Sequence, residues 1–310
     1  MRKVVAGLSV VLTVLVVSTP AQAAVQGAVP SWGLDRIDQA SVQLDSSYNF
    51  PDSAGAGVRV YVLDTGVQGN LPGFEGRVVT GFDAIATFRS PSQSNRDCNG
   101  HGTHVAGIIA SATYGVAKKA TIVPVRVAGC DGGIFPESIV KGIDWVIKNH
   151  PRGTPGVVNL SIAVNKSAAV DTAMSKLRGA GLVAVSAAGN QMMDACRLSP
   201  AGAQHSLTVG SVNMNDFRTN TSNFGECVSI FAPGGLITSE GTKGAPVTRS
   251  GTSMAAAHVS GVAALHFSIN RKAQPNVIIA EILRTSQPGI VVDARSTKGN
   301  VLLNMSVLNK

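Results

Sequence analysis

Short apolar runs recur along this chain between turns rich in glycine, proline and asparagine. The stretches separating them place apolar residues at helical spacing. Residues 58–63, 121–127, 156–160 and 182–186 are such runs, with too little polar alternation for strands that face water on one side. They are predicted as buried strands. Residues 137–149 set Ile139, Val140, Ile143 and Val146 on one side of a helix, and residues 168–178 form a second. Further strands are predicted at 206–212 and 228–232. A small-residue helix runs on from Thr252 through Val259, Val262 and Leu265, and a last helix lies near 277–284. Buried strands separated by helices imply an α/β fold, a mostly parallel sheet with helices on both faces. No internal repeat, low-complexity tract or linker interrupts the pattern, so a single domain is expected.

The first residues depart from that pattern. Arg2 and Lys3 precede an apolar core at 4–17, and Ala21-Gln22-Ala23 is a small-residue cleavage site, as in a secretory signal. So short an apolar run does not span a membrane. The expected division is a signal peptide at 1–23 and a secreted domain at 24–310. Export favours disulfides over thiols for Cys98, Cys130, Cys196 and Cys227, and the sequence alone leaves three pairings open. With 44% apolar and 14% charged residues, a large core is expected. The formal charge of +8 falls to +6 once Arg2 and Lys3 leave. The remaining basic residues are scattered, with no cluster interleaved with aromatics, so nucleic acid is not an expected partner.

Four motifs carry candidate chemistry. Asp64-Thr65-Gly66 ends the first predicted strand, where α/β sheets place ligands, although Asp before Gly also makes an ordinary turn. His101 sits between Gly100 and Gly102 at the start of a small apolar helix. His104 lies three residues on, a metal-like spacing, but no Glu stands between them and no third ligand offers itself. A base at His101 with His104 packed structurally accounts better for the glycines. Asn190 closes Ser186-Ala187-Ala188-Gly189-Asn190, where its amide serves either a left-handed turn or a developing oxyanion. Ser253 stands at or near a helix N-terminus, where it is either a cap or a nucleophile favoured by the positive end of the helix dipole. Asp35, Asp38 and Gln39 supply oxygens at short spacing, as a calcium site needs and as caps and surface residues equally do.

Asp64-Thr-Gly, His101-Gly-Thr-His, Ser186-Ala-Ala-Gly-Asn and Gly251-Thr-Ser-Met-Ala, in that order, resemble the signatures of the subtilisin-like serine proteases. The likeness is greatest to the proteinase K branch and runs from about Trp32 to about Asn304. It implies a serine endopeptidase in which Asp64 orients His101, His101 is general base and acid, Ser253 is nucleophile and Asn190 donates to the oxyanion. It also implies that the substrate adds as a strand between Gly132-Gly133-Ile134 and Ser161-Ile162-Ala163. Ala187, Ala188 and Gly189 would line the specificity pocket, and His258 would be structural. By the same resemblance Cys98 pairs with Cys130 and Cys196 with Cys227, each closure worth roughly 3–4 kcal/mol in the chain-entropy picture. No cofactor is required for the chemistry, the partners are protein or peptide substrates, and a monomer is expected. An α/β-hydrolase is excluded, because there the serine precedes its partners and Ala255 would have to be glycine.

The sequence also departs from the family pattern. Ala257 replaces the usual proline before His258. Ile162-Ala163-Val164 replaces Leu-Gly-Gly and Ile134 replaces a glycine, changes that narrow or re-pair the substrate strands. Ser229 replaces an aspartate that often binds calcium, leaving structural calcium open. No recognisable inhibitory prodomain precedes the domain. The chain is therefore expected to fold without one, to be helped in trans by a prodomain or chaperone, or to be part of a longer protein. These departures favour one alternative, a weak or inactive member of the family that binds peptides or surfaces.

Overall fold

The computed structural model describes residues 23–86, 94–295 and 300–309. The expected signal segment lies, but for Ala23, outside the described residues. The main sheet has nine strands in the order Gln287–Pro288, Val301–Leu302, Ile230–Pro233, Leu207–Val212, Leu182–Ala187, Gly156–Leu160, Arg59–Asp64, Thr121–Arg126 and Phe82–Asp83. All neighbours run parallel except the edge strand Gln287–Pro288.

The apolar runs become strands because both faces of the sheet are covered. Val60 and Val62 point into one core, and their neighbours Tyr61 and Leu63 into another. The first core is filled by the helices His101–Ala110 and Thr252–Ile269, the second by Pro136–Asn149 and Ala168–Gly179. A strand buried on both faces has no polar side to show, which explains the missing alternation. The helix Thr252–Ile269 is buried from Thr252 through Phe267 and threads the middle of the first core.

The topology also fixes where chemistry can sit. The chain runs from Arg59–Asp64 to the far edge at Phe82–Asp83, comes back to Thr121–Arg126 beside Arg59–Asp64, then crosses to Gly156–Leu160 on the other side and continues outward from there. Strand order thus reverses at Arg59–Asp64, and the carboxyl end of such a strand opens a crevice. Asp64 is the last residue of that strand.

Among the strands that were not legible in the pattern are two antiparallel pairs. Ala23–Gly27 pairs antiparallel with Ser47–Pro51, and Ile237–Glu240 forms a hairpin with Pro246–Arg249. The strand Pro246–Arg249 is exposed over its first three residues, so it carries no apolar run. The basic residues are less scattered than the sequence implies. Lys148, Arg152, Arg271 and Lys272 gather around a cleft of about 670 Å³ near the ends of the helices Pro136–Asn149, Ala168–Gly179 and Thr252–Ile269. Cations there complement the negative ends of three helix dipoles. Among the described residues no helix is long and apolar enough to cross a membrane.

Candidate active site

His101 is the first residue of its helix, and the carboxylate of Asp97 organises that start. Asp97 Oδ1 accepts from Asn99 N–H at 3.0 Å, Gly100 N–H at 2.8 Å and Thr65 Oγ1 at 2.8 Å. Its Oδ2 accepts from Thr103 N–H at 2.8 Å and Thr103 Oγ1 at 2.7 Å. Thr65 Oγ1 in turn accepts from Gly102 N–H at 3.0 Å. One buried carboxylate therefore takes the N–H groups of Asn99, Gly100 and Thr103 around the helix start and, through Thr65, ties them to the loop after Asp64. Gly102 is required by contact, since a Cβ there would strike the Gly66 carbonyl.

With the helix so placed, His101 Nδ1 meets Asp64 Oδ1 at 2.7 Å, and the same oxygen accepts from Thr65 N–H at 2.8 Å. A carboxylate only accepts, so Nδ1 carries the proton and Nε2 keeps its lone pair. Asp64 is almost wholly buried, whereas a quarter of the His101 side chain reaches solvent. Burial pushes the imidazole pKa down, but the charge and hydrogen bond of Asp64 outweigh it, and the net shift is upward. Arg249 opposes that rise and Asp97 adds to it. Asp64 Oδ2 is buried without a hydrogen-bond partner.

Ser253 is the second residue of its helix, following Gly251 at φ 147°. Its hydroxyl donates to the Ser161 carbonyl at 3.2 Å, and Ser161 Oγ donates to the Ser253 carbonyl at 3.0 Å. Ser161 Oγ accepts from Asn159 Nδ2 at 2.9 Å, and Asn159 Oδ1 accepts from Ser260 Oγ at 2.9 Å. This buried chain fastens the serine to the central strand Gly156–Leu160. Asn190 Oδ1 accepts from Thr252 N–H at 2.9 Å and from Thr252 Oγ1 at 3.2 Å. Those two donors identify the oxygen end of the amide, leaving its NH₂ group free to donate.

Gly132, Ser161, Ile162 and Ala163 line a recess of about 250 Å³ together with Asp64, Thr65, Asn99, His101, Ala128 and Ile134. Gly133 turns into its own loop, its N–H donating to Asp131 Oδ1 and its carbonyl accepting from Gly129. Ala187, Ala188 and Gly189 do not line this recess. Gly189 N–H donates to Thr252 Oγ1 at 3.1 Å, and Asn223, which the motifs did not indicate, donates from Nδ2 to the Ala188 carbonyl at 2.8 Å. The disulfide Cys98–Cys130 joins the loop before His101 to the rim of the recess, reinforced by Asn99 Nδ2 donating to the Cys130 carbonyl at 3.0 Å. Cys196 pairs with Cys227.

Two other histidines are spent on packing. His104 Nε2 donates to the carbonyls of Ile237 and Val247 at 3.1 and 2.9 Å, clamping the hairpin onto the His101 helix. His258 Nδ1 bonds the Met254 carbonyl at 2.9 Å. Burial pushes both down to about 4. The candidate calcium residues are likewise engaged. Asp35 accepts from the N–H groups of Asp45 and Ser46, Asp38 accepts from Asn49 N–H and Nδ2, and Gln39 Nε2 donates to Ser41 and Gln43 carbonyls. Among the described residues no three His, Cys, Asp or Glu side chains form a metal-holding group.

This order of groups on this sheet agrees with the comparisons. The subtilase family profile (peptidase S8) matches residues 55–304. The chain is a subtilase. It is 44% identical over 275 residues to an extracellular serine proteinase of Thermus sp. (strain Rt41A), covering 88% of this chain and 65% of that protein. It is 42% identical over 275 residues to alkaline serine exoprotease A of Vibrio alginolyticus, covering 89% and 50%. The crystal structure of a cold adapted subtilisin-like serine proteinase superposes with a TM-score of 0.84 at 43% identity, covering 88% of this subtilase and 97% of that chain. The subtilase thus spans between half and two-thirds of the length of the two proteinases named.

Proposed function

We propose that this subtilase is a secreted serine endopeptidase that acts as a monomer on protein or peptide substrates. The observation that carries this reading is the 2.7 Å bond from Asp64 to His101 Nδ1, which leaves Nε2 as a base beside the recess that Ser161 shares. In the first step the Ser253 hydroxyl turns from the Ser161 carbonyl toward His101. Its proton passes to Nε2 as Oγ attacks the scissile carbonyl, and Asp64 stabilises the imidazolium. The free Asn190 NH₂ group, with the Ser253 N–H at the helix N-terminus, donates to the oxyanion. His101 then returns the proton to the leaving amine, giving the acyl-enzyme and the first product. Water, deprotonated by His101, attacks the ester, and the proton goes back to Ser253 Oγ. No cofactor enters these steps.

The recess suits the acyl side of an extended peptide, with Ile134, Ile162 and Ala163 restricting bulk there. Secretion is supported by the signal-like residues 1–23 and by the extracellular relative. The test is a fluorophosphonate probe on the folded protein beside Ser253→Ala, followed by cleavage of a peptide library. Labelling and cleavage that both vanish in the variant are the expected result. A folded wild type that neither labels nor cleaves would sink the enzymatic reading in favour of a peptide-binding subtilase.

A further inference from the structure

Among the described residues Arg249 is a cation without a counter-ion, set against the start of the His101 helix. It ends the strand Pro246–Arg249, four residues before Ser253, and is half-buried. Its Nε is buried without a hydrogen-bond acceptor. None of the arginine ion pairs among the described residues uses it; those belong to Arg36, Arg77, Arg126, Arg218, Arg284 and Arg295. One guanidinium nitrogen would lie 3.3 Å from a Cβ built on Gly100, which precedes His101. The charge is felt at the imidazole, where it opposes protonation.

This placement is held firmly. The hairpin carrying Arg249 is clamped to the His101 helix by His104, whose Nε2 bonds a carbonyl on each side of it, and Ser239 Oγ donates to the His104 carbonyl at 2.9 Å. The two terminal nitrogens of Arg249, unlike its Nε, are not shut away from solvent, and together they can meet a carboxylate with two parallel hydrogen bonds. The recess for the acyl half of the substrate does not include Arg249. We assign the leaving half of the peptide to the hairpin side, where Arg249 stands beside Gly100 and outside that recess.

We propose that Arg249 is a specificity residue that binds a carboxylate on the leaving-group side of the scissile bond. This rests on the serine endopeptidase reading and narrows its substrate class to peptides acidic on that side. The carboxylate is either an Asp or Glu side chain or the free C-terminus of a short leaving segment.

The experiment uses fluorogenic peptides with one fixed acyl half. Their first, second or third residue after the scissile bond is Glu, Gln or Lys, and each is made both as the free acid and as the C-terminal amide. At one of these positions, Glu is expected to raise kcat/KM roughly tenfold over Gln, a preference that weakens in high salt. Arg249→Gln should level the Glu/Gln ratio, Arg249→Lys should keep part of it, and Arg249→Glu should invert the order of Glu and Lys. A preference seen in amides assigns the carboxylate to a side chain; one seen only in free acids assigns it to the chain end. A wild-type ratio near one in both series would overturn the proposal, as would a preference that survives Arg249→Gln. Failure of the wild type to cleave any peptide or to label with fluorophosphonate would instead remove the endopeptidase reading beneath it.

Discussion

Asp97 offers a direct test of how the base is held. Its carboxylate takes five hydrogen bonds from the His101 helix and the loop after Asp64. Asp97→Asn keeps the shape and removes the charge. Oδ1 can still serve Thr65, Asn99 and Gly100, but the new amide nitrogen faces the Thr103 N–H, donor against donor. Thr103 is fully buried, so that N–H has no water to turn to. An unpaired buried donor costs roughly 1–3 kcal/mol, and losing the anion at the helix N-terminus costs roughly 0.3–1 kcal/mol more. The expected destabilisation is about 1–4 kcal/mol. For a domain of this size each kcal/mol moves Tm by about 2–4 °C, so Tm should fall by roughly 3–16 °C. Scanning calorimetry at neutral pH reads this best in a Ser253→Ala background, where self-digestion does not enter. A fall of less than about 2 °C would refute the idea that Asp97 holds this junction.

Two further outcomes concern protons. The proposed mechanism needs neutral His101, and its pKa is raised by Asp64, so the acidic limb of kcat/KM should lie above the ordinary histidine value of 6.5. Asp64→Asn should move that limb down and lower kcat by about 10⁴-fold, the size of this change in another triad protease; a limb that stays in place would exclude Asp64 as the cause. Burial holds His104, His258 and His266 down to about 4, below the ordinary 6.5 of the unfolded chain. Between pH 6.5 and 4 the unfolded chain therefore binds protons that the folded one refuses, and stability is lost as pH falls, by roughly 2–3 kcal/mol for each histidine. Asp38, raised to about 6 chiefly by burial, works the other way by a similar amount. Tm should still decline across that window, and a Tm independent of pH would show that the histidines are not buried as described.

The sheet was legible in the sequence because burial on both faces turns each strand into an unbroken apolar run, as at Arg59–Asp64 and Gly156–Leu160. The candidate site motifs stood out because turn geometry calls for glycine beside the candidate residues, at Gly66, Gly100, Gly189 and Gly251. What stayed hidden depends on partners far apart in the chain. Asp97 looks like any polar loop residue until Thr65 and Thr103 meet it. The hydrogen bonds of Ser161 to Ser253 span 92 residues, and His104 finds its acceptors more than 130 residues on. The Arg249 hairpin was missed because its outer strand is exposed and polar, and such a strand has no apolar signature. Asp35 and Asp38 were ambiguous for a different reason. Carboxylates that accept backbone N–H groups have the same spacing in sequence as carboxylates that bind a cation.

For the endopeptidase proposed above, the Cys98–Cys130 bond has a further consequence. The segment between these cysteines holds the whole His101 helix and the strand Thr121–Arg126. A single nick within it, made by a neighbouring molecule, leaves both fragments covalently joined at the rim of the cleft. Such a molecule runs as one band on a gel without reductant and as two bands with it. In that reading the bridge keeps the two pieces of a nicked segment together, so that they re-dock rather than separate.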